Sequence, residues 1–348
     1  MKYQVTGGKV LSGKIKVSGN KNSVFPCVAA ALLTDEEVIL ENISDLKDTE
    51  VLIQILERLG VLVKKSGSTL TIKAQNLRQF TLPQELMTKL RGSIVLVGSV
   101  LARLNKVIFY HPGGDIIGRR SIETHLEGFK SLGADIKRDD LKYTVVFNNV
   151  KSDQKPDIFL SEASVTATEN LILACVLGSR TVVLRNCAME PHILDLCKML
   201  SAMGAKIGGI GTSSIKIIGV ERLSGTKFKV GIDYIELGTY AIAAAITGGK
   251  IEVEQIDATD MDSIVLPLSE FGIKFEKRGN NMLLWADKLV SPQKLTTNIW
   301  PGFPTDLMSA AIVLATQSKG VTLCHDWMYE SRMFFVDKII FIYMLKRI

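Results

Sequence analysis

The hydrophobic positions of the chain follow a pattern that repeats along its length. In each repeat an apolar helix precedes a short strand, a polar turn, a second helix that ends in a hydrophobic residue and glycine, and another strand. The predicted first strands begin about every 70 residues, at 38–42, 107–110, 182–186, 251–254 and 321–324. The pattern therefore predicts an α/β protein that is built from about five similar units.

Glycine marks the predicted ends of the second helices. The four pairs are Leu59-Gly60, Leu132-Gly133, Met203-Gly204 and Phe271-Gly272. Glycine readily adopts the left-handed conformation that commonly closes a helix, so these pairs predict helix C-termini. The helices that precede the first strands, such as 28–33 and 241–246, are apolar on all sides and are expected in a core.

The repeats are expected to form two closed domains, because solenoids usually have a shorter period. The predicted bounds are 21–229 for a first domain of three repeats, and 1–20 plus 230–348 for a discontinuous second domain. The fifth repeat differs from the others. No cap glycine and no closing strand follow its first strand, and the segment 334–348 is strongly apolar. We therefore expect an incomplete second domain of about one and a half repeats with a truncated or aberrant tail.

Composition disfavours several classes of protein. The 348 residues carry a net charge of +6, but lysine and arginine are scattered among acids, so no nucleic-acid surface is expected. The four histidines lack metal-ligand spacing, and no metal or other cofactor is expected. No stretch reaches the roughly 18 apolar residues that span a membrane. The five cysteines show no disulfide framework, which indicates reduced thiols and a cytoplasmic location. Nothing in the sequence indicates an obligate protein partner.

The loop 111–120 is the first candidate for chemistry. It combines three glycines, the carboxyl of Asp115 and the guanidinium groups of Arg119 and Arg120. Glycine allows tight turns and close approach to a ligand, and arginine offers forked donors that suit phosphate or carboxylate. The loop therefore points to an anionic substrate, although the same residues also occur in ordinary solvated turns.

Further polar residues stand at the predicted starts of apolar helices. Lys21 follows the turn 18–20, Arg91 precedes the apolar run 94–97, and Asp306 follows Pro304. Helix N-termini favour anions, and a carboxylate such as Asp306 is able to accept a proton from a substrate hydroxyl. Structural explanations are also open: a capped turn for Lys21, a surface side chain for Arg91 and an ordinary helix-start carboxylate for Asp306, which the sequence alone favours.

Five motifs together resemble the UDP-N-acetylglucosamine 1-carboxyvinyltransferase family. In chain order they are Ser18-Gly19-Asn20-Lys21-Asn22 and the segments 87–93, 112–120, 166–170 and 303–306. The resemblance runs from about residue 11 to about residue 338. It implies an inside-out α/β barrel of repeated βαβαββ units in two domains, with six units in all and the active site in the interdomain cleft.

The resemblance also implies a reaction. The enolpyruvyl group of phosphoenolpyruvate would be transferred to the 3′-hydroxyl of UDP-N-acetylglucosamine with release of phosphate, which is the first committed step of peptidoglycan synthesis. Neither a metal nor an organic cofactor would be required. Two alternatives stay open: a shikimate-pathway enolpyruvyl transferase, whose first motif usually carries Lys-Ser in place of Lys21-Asn22, and a non-catalytic paralogue that binds a UDP-sugar.

The resemblance assigns roles to residues of this chain motif by motif. Lys21, Arg91 and Arg120 would bind phosphoenolpyruvate, and Asn22 would help to position the substrates. Arg332 matches a further active-site arginine. Cations that face a reacting phosphate and carboxylate are the expected source of electrostatic stabilisation.

The remaining roles concern the proton transfers and the nucleotide. Asp115 would protonate C3 of phosphoenolpyruvate, and Asp306 would take the proton of the attacking hydroxyl. The residues implied to contact the uridine diphosphate are Ser121, Ile122, Glu123, His125, Ser164, Val165 and Thr166.

Asp115 stands where most members of the family carry cysteine. A free thiol, with a pKa of about 8.5, keeps its proton at neutral pH, whereas a free carboxyl, near 3.9, does not. The neighbouring Arg119 and Arg120 favour the ionised carboxylate further. We therefore predict that the pH–rate profile of the chain is shifted toward acidic pH relative to an Asp115→Cys variant. Fosfomycin, which alkylates the family's cysteine, should inactivate only the variant. Identical profiles, or a covalent adduct on the wild-type loop in mass spectra, would contradict this prediction.

Overall fold

A computed structural model describes residues 4, 6–114, 118, 120–148, 155–256 and 261–339 of the chain. The strands are β1 (Ser12–Lys16), β2 (Glu37–Glu41), β3 (Leu62–Ser66), β4 (Thr69–Lys73), β5 (Lys106–Tyr110), β6 (Ala134–Asp139), β7 (Lys142–Phe147), β8 (Asp157–Phe159), β9 (Thr181–Arg185), β10 (Lys206–Gly208), β11 (Ser214–Ile218), β12 (Thr226–Lys229), β13 (Lys250–Glu254), β14 (Ile273–Arg278), β15 (Asn281–Ala286), β16 (Lys294–Thr296) and β17 (Leu323–His325). The α-helices are α1 (Lys21–Ala31), α2 (Lys47–Arg58), α3 (Gln84–Met87), α4 (Leu96–Leu104), α5 (Glu123–Ser131), α6 (Val165–Cys175), α7 (Pro191–Ala202), α8 (Tyr234–Ile246), α9 (Asp262–Glu270) and α10 (Met308–Gln317). Two 3-10 turns, Arg91–Val95 and Thr305–Leu307, lead directly into α4 and α10.

The described residues form two compact units. The larger unit comprises those of 19–114 and 121–231, and the smaller unit comprises those of 4–18, 118–120 and 232–339. The predicted first domain, 21–229, contains Gly118 and Arg120, which here group with the smaller unit.

The larger unit contains three sheets that share one plan. Their strand orders are β12-β2-β4-β3, β5-β7-β6 and β10-β11-β9-β8. In each sheet the first strand of a repeat pairs antiparallel with the last strand, which also pairs antiparallel with the middle strand. In two of the sheets a further strand joins the first strand in parallel. The repeat and the mixed α/β class predicted from the hydrophobic pattern are therefore confirmed.

The smaller unit contains one sheet with the same plan and a second sheet with only part of it. Its four-stranded sheet has the order β1-β13-β15-β14, with β1 and β13 parallel. The other sheet consists of β16 and β17 in parallel, and β17 has no antiparallel neighbour among the described residues. The end of the apolar tail, 340–348, lies outside the described residues. No helix in the described part of the chain is both long and apolar enough to cross a membrane.

The predicted cap glycines end their helices as expected. Gly60, Gly133, Gly204 and Gly272 have φ angles of 88°, 89°, 103° and 93°, in the left-handed region that favours glycine. Each follows its helix after one intervening residue.

The core of the larger unit is built around apolar helices that pack against one another. Every residue from Ser23 to Ala31 of α1 and from Ala167 to Cys175 of α6 is buried. The helices α1, α4 and α6 are in mutual contact. A Cβ added to Gly98 of α4 would lie 2.3 Å from the carbonyl oxygen of Asn170 in α6. Glycine at this position therefore sets the distance between the two helices.

We predict that Gly98→Ala destabilises the larger unit. Alanine has the better helix propensity by about 1 kcal/mol, but a contact with backbone forces the helices apart, and overpacking of a core typically costs about 1–3 kcal/mol. A net loss of about 2 kcal/mol in the free energy of unfolding is expected from denaturant titration. Gly208→Ala is the control, because a Cβ on Gly208 meets nothing within 4 Å. Equal stability of the two variants would contradict the prediction.

Candidate active site

Lys21 stands at the N-terminus of α1. Asn20 caps this helix, since its Oδ1 accepts a hydrogen bond of 2.9 Å from the backbone N–H of Asn22. The Asn20 N–H donates to the carbonyl of Gly231 at 2.8 Å, which ties the helix start to the end of the larger unit. The Lys21 ammonium pairs with the Asp48 carboxylate at 3.0 Å, and both side chains are partly exposed, at 38% and 39%. A partly exposed cation at a helix N-terminus is suited to meet an anion.

Arg91 connects the two ends of the candidate loop. Its Nη1 donates to the carbonyl of Pro112 at 3.3 Å, and its Nη2 donates to the carbonyl of Ser121 at 3.2 Å. A Cβ on Gly113 would lie 1.9 Å from the carbonyl oxygen of Thr88, so this glycine permits close packing of the loop onto the segment that carries Arg91. Arg91 therefore holds the ends of the loop in addition to the ligand-binding role predicted from sequence.

The middle of the loop is described only in part. Asp115 and Arg119, two of the predicted chemical groups, lie outside the described residues. Arg120 is half-buried and belongs to the smaller unit. Gly118 has a φ of 135°, and a Cβ there would lie 2.1 Å from Oε2 of Glu330. This end of the loop therefore packs against the segment that leads to Arg332.

The two segments predicted to contact uridine diphosphate are brought together in the larger unit. His125 Nε2 and Thr166 Oγ1 are hydrogen-bonded at 3.0 Å. Ser164 caps α6, because its Oγ accepts a hydrogen bond of 3.4 Å from the Ala167 N–H. The other predicted residues lie at the starts of the same helices: Ser121 and Ile122 precede α5, Glu123 begins α5, and Val165 begins α6.

His125 is a neutral imidazole in this environment. Its side chain is 1% exposed, and burial, followed by the charge of Arg91, lowers its pKa to about 3. Its Nδ1 is buried without a hydrogen-bond partner among the described residues. His125 therefore does not supply the positive charge that a diphosphate would attract.

Asp306 and Arg332 form an ion pair in the smaller unit. The Arg332 Nη2 donates to Oδ1 of Asp306 at 2.7 Å. The Asp306 side chain is 46% exposed, whereas that of Arg332 is 16% exposed and lies over the ring of Tyr329 at 5.3 Å. Asp306 lies in the 3-10 turn that opens α10, as the helix-start pattern predicted. An exposed carboxylate fixed by a less exposed guanidinium is an oriented proton acceptor.

The larger unit also contains three acidic residues, one of them buried and two partly buried, that the sequence interpretation missed. Glu169 lies within α6, 2% exposed, and burial together with the charge of Glu190 raises its pKa well above the ordinary value. Burial raises the pKa of Glu190, just before α7, to about 7, and its Oε2 is buried without a hydrogen-bond partner in the described part of the chain. Asp195 of α7 accepts a hydrogen bond of 3.1 Å from the Gly231 N–H. The charged residue in the apolar stretch of α6 was the available signal, whereas Glu190-Pro191 resembled an ordinary helix start.

Metal ions in proteins are held by groups of histidine, cysteine and carboxylate side chains. No group of three or more histidine, cysteine, aspartate or glutamate side chains that could hold a metal ion occurs among the described residues. The absence of a cofactor from the reaction stays a prediction from sequence.

Comparison with known proteins gives a consistent set of relatives. The family model described as EPSP synthase (3-phosphoshikimate 1-carboxyvinyltransferase) matches residues 5–339. The UDP-N-acetylglucosamine 1-carboxyvinyltransferase of Borreliella burgdorferi is 42% identical over 346 residues, which cover 97% of this chain and 80% of that protein. The protein of the same name from Bradyrhizobium diazoefficiens is 40% identical over 349 residues, 98% of this chain and 80% of that protein.

Solved structures show the same fold at lower identity. The enolpyruvyl transferase NikO from Streptomyces tendae superposes with a TM-score of 0.80 at 20% identity and covers 95% of this chain and 79% of that chain. An EPSP synthase from Acinetobacter baumannii superposes with a TM-score of 0.67 at 17% identity. The match covers 91% of this chain and 74% of that chain.

We predict that Glu190→Gln alters the pH dependence of stability. A carboxyl whose pKa rises from 4.5 to about 7 on folding stabilises the native state fully below pH 4.5, and this contribution is lost as the pH rises through about 7. The free energy of unfolding of the wild type should therefore fall by roughly 3 kcal/mol more between pH 5 and pH 8 than that of the variant. Denaturant titrations at the two pH values measure this difference, with the exposed Glu221→Gln as control. Parallel curves for wild type and Glu190→Gln would contradict the prediction.

Proposed function

Because the chain belongs to the EPSP synthase family of enolpyruvyl transferases, we propose that it transfers the enolpyruvyl group of phosphoenolpyruvate to UDP-N-acetylglucosamine and releases phosphate. Relatives at 40–42% identity over 97–98% of the chain carry the name of this activity. The solved EPSP synthases are only 17% identical and support the fold alone. The relatives therefore favour the UDP-sugar reaction over the shikimate-pathway alternative.

Lys21 carries the proposed binding of phosphoenolpyruvate. Its ammonium lies at the N-terminus of α1, is partly exposed and pairs with one carboxylate among the described residues, that of Asp48. A phosphate or carboxylate that approaches this helix start meets both the ammonium and the helix dipole. Arg91 and Arg120 would add guanidinium groups, and Asn22, in the first turn of α1, would help to position the substrates.

Asp306 carries the proposed removal of the proton from the 3′-hydroxyl. Its Oδ1 is engaged by Arg332, whereas Oδ2 makes no hydrogen bond within the described part of the chain. Arg332 orients the Asp306 carboxylate, which is 46% exposed and leaves Oδ2 available to accept a proton. Arg332 would thus act through Asp306 in addition to its predicted place as an active-site arginine.

The reaction balances as an addition followed by an elimination. The hydroxyl oxygen bonds to C2 of phosphoenolpyruvate, its proton passes to Asp306, and C3 gains a proton, for which Asp115 is the proposed donor. In the second step a proton leaves C3, the double bond re-forms and the bond from C2 to phosphate breaks. Cations around the phosphate stabilise the charge that develops on it.

The proposed nucleotide contacts lie at the starts of α5 and α6. Ser121, Ile122, Glu123, Ser164 and Val165 would surround the uridine diphosphate together with His125 and Thr166. Because the pKa of His125 is lowered to about 3, this residue would act there as an uncharged imidazole that is held by Thr166.

We infer that the protein acts in the cytoplasm. Its reaction would be the first committed step of peptidoglycan synthesis, and the protein would thereby contribute to cell shape and cell division. All five cysteines are free thiols, which is typical of a reducing compartment. Insensitivity to fosfomycin belongs to the same proposal, because Asp115 replaces the thiol that the drug alkylates.

Phosphate release with purified protein tests the proposed function. The chain should release phosphate only when phosphoenolpyruvate and UDP-N-acetylglucosamine are both present. Lys21→Met should lower kcat/KM by about 100-fold, the usual cost of removing a group that stabilises developing charge. Lys65→Met is the matched control, since Lys65 also pairs with a carboxylate in the larger unit.

Three outcomes would contradict the proposal or its details. Release with shikimate 3-phosphate but not with UDP-N-acetylglucosamine would select the other enolpyruvyl transferase. Binding of UDP-N-acetylglucosamine without phosphate release would select the non-catalytic paralogue. Equal loss of activity in the Lys21 and Lys65 variants would remove Lys21 from the anion site.

A further inference from the structure

Asp326, just after β17, collects three hydrogen bonds on one carboxylate. Its Oδ1 accepts from the hydroxyl of Thr297 and from the backbone N–H of Met328, both at 3.0 Å. Its Oδ2 accepts from the hydroxyl of Thr305. Thr305 immediately precedes Asp306 in the chain. Asp326 therefore binds the residue next to the proposed proton acceptor.

The partners of Asp326 are buried and are themselves held by backbone contacts. Thr297 is 0% exposed and Thr305 is 9% exposed. The Thr297 N–H donates to the carbonyl of His325 at 3.0 Å, and Trp327 Nε1 donates to the Thr297 carbonyl at 2.8 Å. Thr297 also forms a bridge with Phe303, which brings the chain back to the turn that carries Asp306. The carboxylate therefore lies at the junction of β16, β17 and that turn.

We propose that Asp326 is a positioning residue for the general base Asp306, an inference that rests on the proposed function. Asp326 anchors the turn through the side-chain hydroxyl of Thr305, whereas Arg332 holds the Asp306 side chain. Both anchors come from the short segment that follows β17. This segment therefore holds both the residue before the proton acceptor and its carboxylate.

The three hydrogen bonds to the side chain of Asp326 require a carboxylate at this position. A carboxylate has only acceptor sites, and two threonine hydroxyls and one N–H fill three of them. Hydrogen bonds to an ionised acceptor are about twice as strong as neutral ones, and they impose a direction on each hydroxyl. Asparagine at this position would replace one acceptor oxygen by a donor NH₂ group and would remove the charge. The turn would then keep its fold while losing its tight alignment.

Steady-state kinetics of Asp326→Asn test the inference. We expect kcat to fall by about 100-fold, the scale on which misplacement of a catalytic group by about 1 Å acts. KM for both substrates should change by less than about 3-fold, because the binding residues of the larger unit are untouched. Thr305→Val should reproduce the loss of kcat, and Thr305→Ser, which keeps the hydroxyl, should recover most of it. Asp287→Asn, which breaks the ion pair with Lys274 elsewhere in the smaller unit, is the matched control.

A double variant separates positioning from general stability. If Asp326 acts through Asp306, adding Asp326→Asn to Asp306→Ala should lower kcat no further. Wild-type kcat in Asp326→Asn, or equal changes in kcat and KM together with a loss of stability, would overturn the inference.

Hydrogen exchange of the turn amides measures the positioning role of Asp326 independently of turnover. The Leu307 N–H donates to the Pro304 carbonyl at 3.1 Å within the turn. Asp326→Asn should speed exchange of this amide at least 10-fold, while the amides of β13 and β15 stay unchanged. Wild-type exchange at Leu307 in the variant would overturn the positioning inference whatever the substrates. Absence of turnover in the wild type, with faster exchange in the variant, would instead reject only the proposed reaction.

Discussion

The larger unit depends on the burial of the apolar stretches of its central helices. The helices α1, α4 and α6 contact one another, and their residues 23–31, 96–101 and 167–175 are buried. Burying such helices is favourable because apolar surface leaves water, and the repeated sheets supply the surrounding layer. Polar and charged side chains of these helices therefore lie mainly at the helix ends. At the N-terminal ends the unpaired backbone N–H groups also attract anionic ligands. The proposed binding residues Lys21, Arg91 and Thr166 all stand at such helix starts.

Two acidic residues of the larger unit depart from this arrangement, and burying them costs free energy because a charge is removed from water. Glu169 is buried inside α6, where burial and then the charge of Glu190 raise its pKa, and burial alone raises the pKa of Glu190. Burial shifts both groups toward the protonated state, which reduces the cost of placing two acids in a core. In the smaller unit the carboxylate of Asp306 is instead partly exposed and pairs with Arg332.

Local features of the fold could be predicted from sequence, whereas contacts between distant residues could not. The first strands, the glycines at 60, 133, 204 and 272, and the caps Asn20 and Ser164 follow from periodicity and from backbone chemistry within a few residues. The pairs Lys21–Asp48 and Thr305–Asp326 join residues that are 27 and 21 positions apart, respectively. Periodicity carries no information on such partners, because they depend on how strands and helices are placed in space. The roles of the site residues came from the family resemblance and stay proposals.

Enolpyruvyl transfer is tested most directly by the chemical structure of the product. Purified protein would be incubated with UDP-N-acetylglucosamine and phosphoenolpyruvate labelled with carbon-13 at C2, and the nucleotide product would be examined by NMR. We expect the labelled carbon to become a vinyl ether carbon that is coupled to the sugar proton at the 3′ position, with one phosphate released per product. Unchanged UDP-N-acetylglucosamine, with the label retained in phosphoenolpyruvate, would contradict this expectation.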